Sequence, residues 1–263
     1  MATYYKINGD ILTQIANQGR RLTGHIGSLT PSSMVSLFES VEIPFGPIVK
    51  VDMNNAGVNS LGNTYYDATA HGGSFSDGCF VVSETGYLSI PADFMNRTSA
   101  WTIAFTIDGY TLDDTARYCR IARGFEDVPS IYHISYYGCF MFKLTSSRAT
   151  KSTVDWYDET ILTDYGNGYG LGFMIPTDEQ TVFAFRNDEG FISLWINGTM
   201  VAKQTTSEYT STYQTSSFFI GDNGTSGYDM DSMKCSMVKG WARALEDWEM
   251  ELLKPDITVR EVD

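Results

Sequence analysis

Proline is scarce in this chain, with 7 in 263 residues, and cysteine is scarcer still at 4. No apolar run approaches the roughly 20 residues that a helix needs to span a bilayer, which excludes helical membrane insertion. Met1-Ala2-Thr3-Tyr4-Tyr5-Lys6 leads into polar sequence without the apolar centre of a signal peptide, so the chain is expected to stay in the compartment where it is made. Cys79, Cys119, Cys139 and Cys235 stand far apart with no CxxC pair, so a structural zinc is not expected and buried free thiols are. His25, His71 and His133 form neither an HxH nor an HExxH pattern, so no histidine metal site is indicated. Basic residues are also few, 18 Lys and Arg against 32 Asp and Glu, giving a net charge of −14. A surface of that sign repels phosphates and anionic lipid, which excludes a nucleic-acid partner.

What the chain does have is 43% hydrophobic residues, 14% aromatic residues and 24 glycines, a composition that can bury a core and turn often. Its length suits one large all-β domain with an appendage. Asn197-Gly198 separates the β-patterned runs GFISLWI and TMVAKQ, and both residues tolerate the positive φ of a two-residue hairpin. Tyr87–Pro91 and Trp101–Ile107 are predicted strands, the latter with Trp101, Ile103, Phe105 and Ile107 on a core face and Thr102, Ala104 and Thr106 on the other. Further strands are predicted over residues 117–123, 131–136, 139–145, 181–187 and 233–241. In the last of these, Met233, Cys235, Met237 and Trp241 alternate with Lys234, Ser236 and Val238. Leu245, Trp248 and Leu252 then form a predicted helical stripe that caps one end of the sandwich, with Glu246 and Asp247 at the positive end of its dipole. Residues 255–263 read as a tail, with an extra edge strand through Ile257 and Val259.

Residues 1–43 differ from the rest. Ile11, Leu12, Ile15, Ala16 and Leu22 gather on one face of a predicted helix stopped by Gly24. Thr30-Pro31 caps a second, whose stripe is Met34, Leu37, Phe38 and Val41. Charges balance in this stretch, so the whole −14 falls on residues 44–263. Helices this short need a partner to bury their stripes, which predicts self-association or docking into a larger assembly, with packing on the chain's own sandwich as the alternative.

Two resemblances follow from these motifs. Residues 15–24 (IANQGRRLTG) and 27–34 (GSLTPSSM) closely resemble a module of tailed-phage and prophage structural proteins, in which a helix with the pattern IA.aIR.kTG precedes LTP..M. The resemblance covers residues 4–43, although Gly19 replaces a better helix former and Leu22 replaces a frequent Lys. It implies a virion component of tail, baseplate or head decoration, made in the bacterial host cytoplasm. Downstream, the order of hairpin, Phe218-Phe219-Ile220-Gly221 strand, strand ending at Trp241 and acidic-started helix resembles the last third of a laminin-G-like or concanavalin A-like sandwich. The expected architecture is therefore mainly β: a concanavalin A-like (laminin-G-like) jelly-roll β-sandwich over residues 44–254, with a helical-hairpin module at 1–43 and a tail at 255–263. By family analogy the protein is a homo-oligomer, with a trimer as one form, whose partners are other virion proteins and a host or mucosal glycan.

A glycan site needs an aromatic platform beside side chains that hydrogen-bond hydroxyls. Residues 155–170 offer Asp155, Trp156, Tyr157, Asp158, Tyr165, Asn167 and Tyr169 among glycines, and are expected to form that site; the alternative is that Trp156 and Tyr157 pack under a loop. Tyr132, Tyr136 and Tyr137 form a second aromatic set, expected to serve strand packing. Asp222, Asn223, Asp229 and Asp231 could offer oxygen ligands to Ca²⁺, but their spacing is not that of an EF-hand and a solvated acidic turn is the favoured reading. No other cofactor is expected. Glycosidases of this architecture resemble one another in a strand bearing alternate carboxylates. No such strand is present, so the reading is a binding protein rather than an enzyme. A decoration or fibre protein without a glycan site is the alternative, with a glycoside hydrolase behind it. The net charge favours a neutral sugar over an anionic polymer.

Overall fold

The computed structural model describes residues 46–84, 86–95, 99–111, 119–124, 128–134, 138–145, 149–158, 160–165, 170–188, 190–206, 217–221 and 230–255. The chain divides into two compact units, Met1–Gly46 and Pro47–Asp263. The helices expected over residues 10–22 and 30–41, and the strand expected through Ile257 and Val259, lie outside the described residues.

The second unit is built from strands. In chain order they are β1 (Val49–Asp52), β2 (Val58–Asn59), β3 (Thr69–His71), β4 (Ser74–Ser76), β5 (Cys79–Glu84), β6 (Tyr87–Pro91) and β7 (Trp101–Ile107). There follow β8 (Tyr110–Thr111), β9 (Cys119–Gly124), β10 (Ser130–Ile134), β11 (Cys139–Lys143), β12 (Asp155–Trp156), β13 (Thr163–Asp164) and β14 (Leu171–Phe173). The last third holds β15 (Thr181–Asp188), β16 (Phe191–Ile196), β17 (Thr199–Thr205), β18 (Ser217–Gly221), β19 (Met230–Cys235), β20 (Val238–Trp241) and the one-turn helix α1 (Asp247–Met250). The first sheet runs β12-β17-β16-β15-β7-β20-β1-β2, the second β13-β14-β11-β10-β9-β18-β6-β3, and a third, of four strands, β4-β5-β19-β8. Pairing is antiparallel in all three.

Side chains alternate across a strand, so each large sheet turns one apolar row inward. Phe105 of the first sheet meets Phe218 of the second at 5.7 Å between ring centroids, and Phe183 meets Phe173 at 5.8 Å. These ring pairs span the gap between the sheets, so the expected face-to-face sandwich forms. The expected hairpin forms too. β16 and β17 pair through Asn197 at φ 48° and Gly198 at φ 75°, the left-handed pair that the Asn-Gly sequence supplies. A Cβ on Gly198 would meet the Glu251 carbonyl oxygen at 2.7 Å, so the turn also depends on close backbone approach.

Three expectations change. The outer face of β7 is buried as well as its core face, because Ala104, Ala184, Trp195, Trp241, Leu245 and Met250 build a second apolar cluster over the first sheet. The expected helical stripe of Leu245, Trp248 and Leu252 at the end of the sandwich gives way to Leu245, Met250 and Leu253 across its face, with Leu252 71% exposed. Only one turn is helical, so the 3.6-residue period does not carry through to Leu252. Finally, the single strand expected over residues 233–241 breaks at Ser236 and Met237. Their backbone N–H groups donate to Asp108 Oδ2 (2.6 Å) and Thr106 Oγ1 (3.1 Å), taking them out of the ladder. The break shifts parity: Met233, Cys235 and Val238 enter the main core, while Trp241 and Met237 join the outer cluster.

Candidate functional site

The segment predicted to hold the site closes one side of the sandwich. β12 pairs with β17 at the edge of the first sheet, and β13 pairs with β14 at the edge of the second. Between them Asp158 Oδ1 accepts from the Thr160 hydroxyl (2.6 Å) and the Thr160 backbone N–H (2.8 Å), an Asx turn that reverses the chain. Those two bonds hold the Asp158 carboxyl below its ordinary range. Lys151 ties the two edges, with its Nζ 4.6 Å from the Trp156 ring centroid and 3.5 Å from Asp164 Oδ2.

This geometry separates the predicted residues. Trp156 is half-buried and packs against the main core, whereas Asp155 and Tyr157, one residue to either side, are exposed. The expected joint platform of Trp156 with Tyr157 is therefore replaced by a core-edge tryptophan and a separate exposed tyrosine. Tyr165 lies with the second sheet, in a cluster with Tyr132, Ile134, Cys139 and Met141. Gly172 gives it room, since a Cβ there would meet Tyr165 Cε2 at 2.9 Å. Burial first, and then the Cys139 thiol beside it, pushes the Tyr165 hydroxyl up to about 12. Tyr132 is buried, as strand packing requires. Asn167, Tyr169, Tyr136 and Tyr137 lie outside the described residues, as do Asp222, Asn223 and Asp229; Asp231 falls in β19, with its side chain likewise outside.

A more continuous surface lies on the outer face of the second sheet. Phe218 and Ile220 are fully buried in the core, so Phe219 between them points out. Its register neighbours form one line across six strands: Thr69, Ser89, Phe219, Arg123, Ser130 and Lys143. Along this line the Arg123 guanidinium sits 4.7 Å from the Phe219 centroid. Tyr87 meets Phe219 edge-on at 5.8 Å, and His71 stacks on Tyr87 at 4.4 Å with the planes 12° apart. Lys143 Nζ lies 5.9 Å from the Tyr132 ring. His71 and Thr69 are exposed, Tyr87, Phe219, Arg120 and Lys143 are half-buried, and Arg123 and Ser130 form the floor. At that floor the Ser130 hydroxyl is buried with no hydrogen-bond partner among the described residues, and the same holds for Thr145, two residues beyond Lys143. Of the eight strands only β13 carries a carboxylate, Asp164; β3, β6, β18, β9, β10, β11 and β14 contain neither Asp nor Glu.

Two shallow depressions, about 270 and 410 Å³, lie elsewhere, beside Asp108 and beside Gln180 and Ser236. The polar groups at their junction are spent on one another. Asp108 Oδ1 accepts from Gln180 Nε2 and from Ser236 Oγ (2.7 Å), while Oδ2 accepts from Thr106 Oγ1 (2.7 Å) and Ser236 N (2.6 Å). With both oxygens doubly occupied this carboxylate fixes the strand break and offers nothing to a ligand.

Fold and surface together define an antiparallel β-sandwich with an aromatic sheet face that also carries Arg120, Arg123 and Lys143. No family model and no curated protein matches the chain, but solved structures share its fold. Among them are botulinum neurotoxin type C, which depends on interaction with two ganglioside molecules to get into cells (12% identity, TM-score 0.55, covering 79% of this chain and 50% of that one), and Trypanosoma rangeli sialidase in complex with 2,3-difluorosialic acid (12%, 0.58, 92% and 38%). A third is domain 4 of an extracellular arabinanase from Geobacillus stearothermophilus in complex with arabinotriose (16%, 0.52, 80% and 98%). The chain spans about half the length of the neurotoxin domains that it matches.

Proposed function

We propose that this protein is a glycan-binding module whose site is the outer face of the second sheet. The observation that carries the proposal is the His71, Tyr87 and Phe219 ladder, a run of ring contacts beside Ser89, Arg123 and Ser130. Aromatic faces stack on the C–H faces of sugar rings, and flanking hydroxyl and guanidinium groups bond their hydroxyls. Strands about 4.8 Å apart present these groups at intervals close to the length of one sugar unit. That solved neighbours of this fold include a neurotoxin that interacts with gangliosides and a domain bound to arabinotriose supports the reading.

Residues 4–43, through their likeness to phage structural modules, support a further element of the proposal: attachment to a virion in several copies, so that weak single contacts add by avidity. Labelled antibody against the chain should then decorate purified particles of the producing phage or prophage. For the site itself, the full chain is applied to an immobilised glycan panel alongside Phe219→Ala and Tyr157→Ala. Binding should fall at least tenfold for Phe219→Ala, measured on protein whose circular dichroism matches the parent, and persist for Tyr157→Ala. Equal loss in both variants would move the site to the β12 edge, and no glycan bound by the parent would end the reading.

A further inference from the structure

A second aromatic surface stands apart from the sheet face. The chain between β2, at the edge of the first sheet, and β3, at the edge of the second, makes one 3₁₀ turn over Thr64–Tyr66. We infer that this turn is a second saccharide site, in which an uncharged sugar ring stacks on Tyr65 while its hydroxyls bond Asn63 and Asp93. It goes beyond the sheet-face reading, and neither site depends on the other.

Exposure is the first observation. Tyr65 is 58% exposed, more than any other Tyr, Phe or Trp among the described residues. Its ring meets Tyr66 at 5.0 Å with the planes 84° apart. Whichever ring supplies the edge in that contact, at least one face of Tyr65 is left uncovered by Tyr66.

The second observation is that the exposed ring is held in place. Asn59, only 1% exposed, accepts at Oδ1 from the Lys50 N–H (3.0 Å) and donates from Nδ2 to the carbonyls of Ile48 (3.3 Å) and Asn63 (3.0 Å). Its own N–H donates to Asp67 Oδ1 at 2.7 Å, so both ends of the turn are clamped to one buried side chain and its backbone. Tyr66 packs on the main core and meets Phe94 edge-on at 6.2 Å. A platform fixed before the ligand arrives loses little freedom on binding.

The third is a pair of polar groups with capacity to spare. Asn63 and Asp93 are both exposed. Asn63 spends Oδ1 on the Tyr65 N–H (3.1 Å), and Asp93 spends Oδ1 on the Tyr66 hydroxyl (3.2 Å). Asn63 Nδ2 and Asp93 Oδ2 have no partner among the described residues, which leaves one donor and one charged acceptor. Burial first, and then the Asp93 charge, pushes the Tyr66 hydroxyl up to about 12, so it stays protonated and orients the carboxylate. An apolar ring face beside a fixed donor and acceptor matches the C–H face and hydroxyls of a pyranose.

Charge then selects the sugar. From Val51 to Asn96 the chain has no Lys or Arg but five acids, Asp52, Asp67, Asp77, Glu84 and Asp93. An anionic sugar would meet the Asp93 carboxylate with no cation from this segment to offset it, whereas an uncharged one meets only an acceptor.

The test uses the full chain labelled with fluorotyrosine and followed by fluorine NMR, the Tyr65 signal being assigned by its loss in Tyr65→Phe. The probes are arabinotriose, lactose, mannotriose and a glucuronate-terminated trisaccharide. The Tyr65 signal should shift saturably with at least one neutral probe, respond less to the glucuronate, and behave in the same way in Phe219→Ala. Asp93→Asn, with circular dichroism matching the parent, should weaken that titration on the order of tenfold. A Tyr65 signal that moves with no neutral probe, or moves more with the acid, overturns the inference, and Phe219-dependent binding on the wider glycan panel would still uphold the sheet-face site. Loss of the Tyr65 response in Phe219→Ala would merge the two surfaces and overturn a separate site. A signal that ignores sugar but broadens with protein concentration assigns the turn to contact between copies of the chain, and overturns it as well.

Discussion

At the residue scale, burial decides more than residue type. His133 lies in β10 with only 3% of its surface exposed and its ring 5.0 Å from Phe140. Burial lowers its pKa from 6.5 to about 4, and a backbone hydrogen bond with Gly138 offsets only part of that. The folded chain thus keeps His133 neutral down to about pH 4 while the unfolded chain protonates near 6.5. Between those values the unfolded state holds more protons, so stability falls as the pH drops through this window and the loss is complete below about 4. Urea midpoints measured at pH 7 and pH 5 should differ in the parent and differ less in His133→Leu; equal slopes would place the imidazole in contact with water. Free cysteines obey the same rule. Cys119, Cys139 and Cys235 are buried, and burial pushes the Cys235 thiol up to about 12, with Asp108 adding to the effect.

At the element scale, α1 is too short to be stable by itself and is held by side chains. Arg186, 8% exposed, donates from Nη1 to the Leu245 carbonyl (2.9 Å) and to Asp247 Oδ1 (2.6 Å), with its guanidinium 5.2 Å from the Trp195 ring. Arg243 grips Glu249 with two bonds of 2.6 Å, and the Glu246 N–H donates to the same carboxylate at 2.8 Å. Burial raises the Glu249 pKa, but the Arg243 and Glu246 bonds outweigh it and leave the carboxyl below its ordinary range. Arg186→Ala should cost about 2–4 kcal/mol, because it loosens the cover over Trp195 and Trp241 and leaves the Leu245 carbonyl without this donor. Arg186→Lys should recover little, since one ammonium cannot span both acceptors and the ring. Chemical denaturation of the two variants checks this; a lysine variant as stable as the parent would reduce the contact to simple charge pairing.

For the whole molecule, the charge excess sets how stability depends on salt. A net −14 confined to residues 44–263 repels itself in the compact state. Raising ionic strength from about 10 mM to about 150 mM should therefore raise the thermal midpoint, by screening that repulsion. A midpoint that falls with salt would mean that ion pairs such as Arg243 with Glu249 outweigh the general repulsion.

Local chemistry determined much of this protein without help from distant residues. Asn197-Gly198 makes its hairpin because both residues accept left-handed backbone, and Trp101–Ile107 makes a strand because its alternation buries one face in any sandwich. The site was less legible. Arg120 and Arg123 are three residues apart, which in a regular strand puts them on opposite faces, but a bulge against β10 pairs Arg120 with Tyr132 and Arg123 with Ser130 on one face. Trp156 and Tyr157 read together as a platform because they are adjacent, yet Trp156 at the end of β12 packs on the core while Tyr157, just beyond the strand, is 53% exposed. Which cations meet which rings depends on register between strands far apart in sequence, and that is fixed by the packing of the two sheets, not by any one segment.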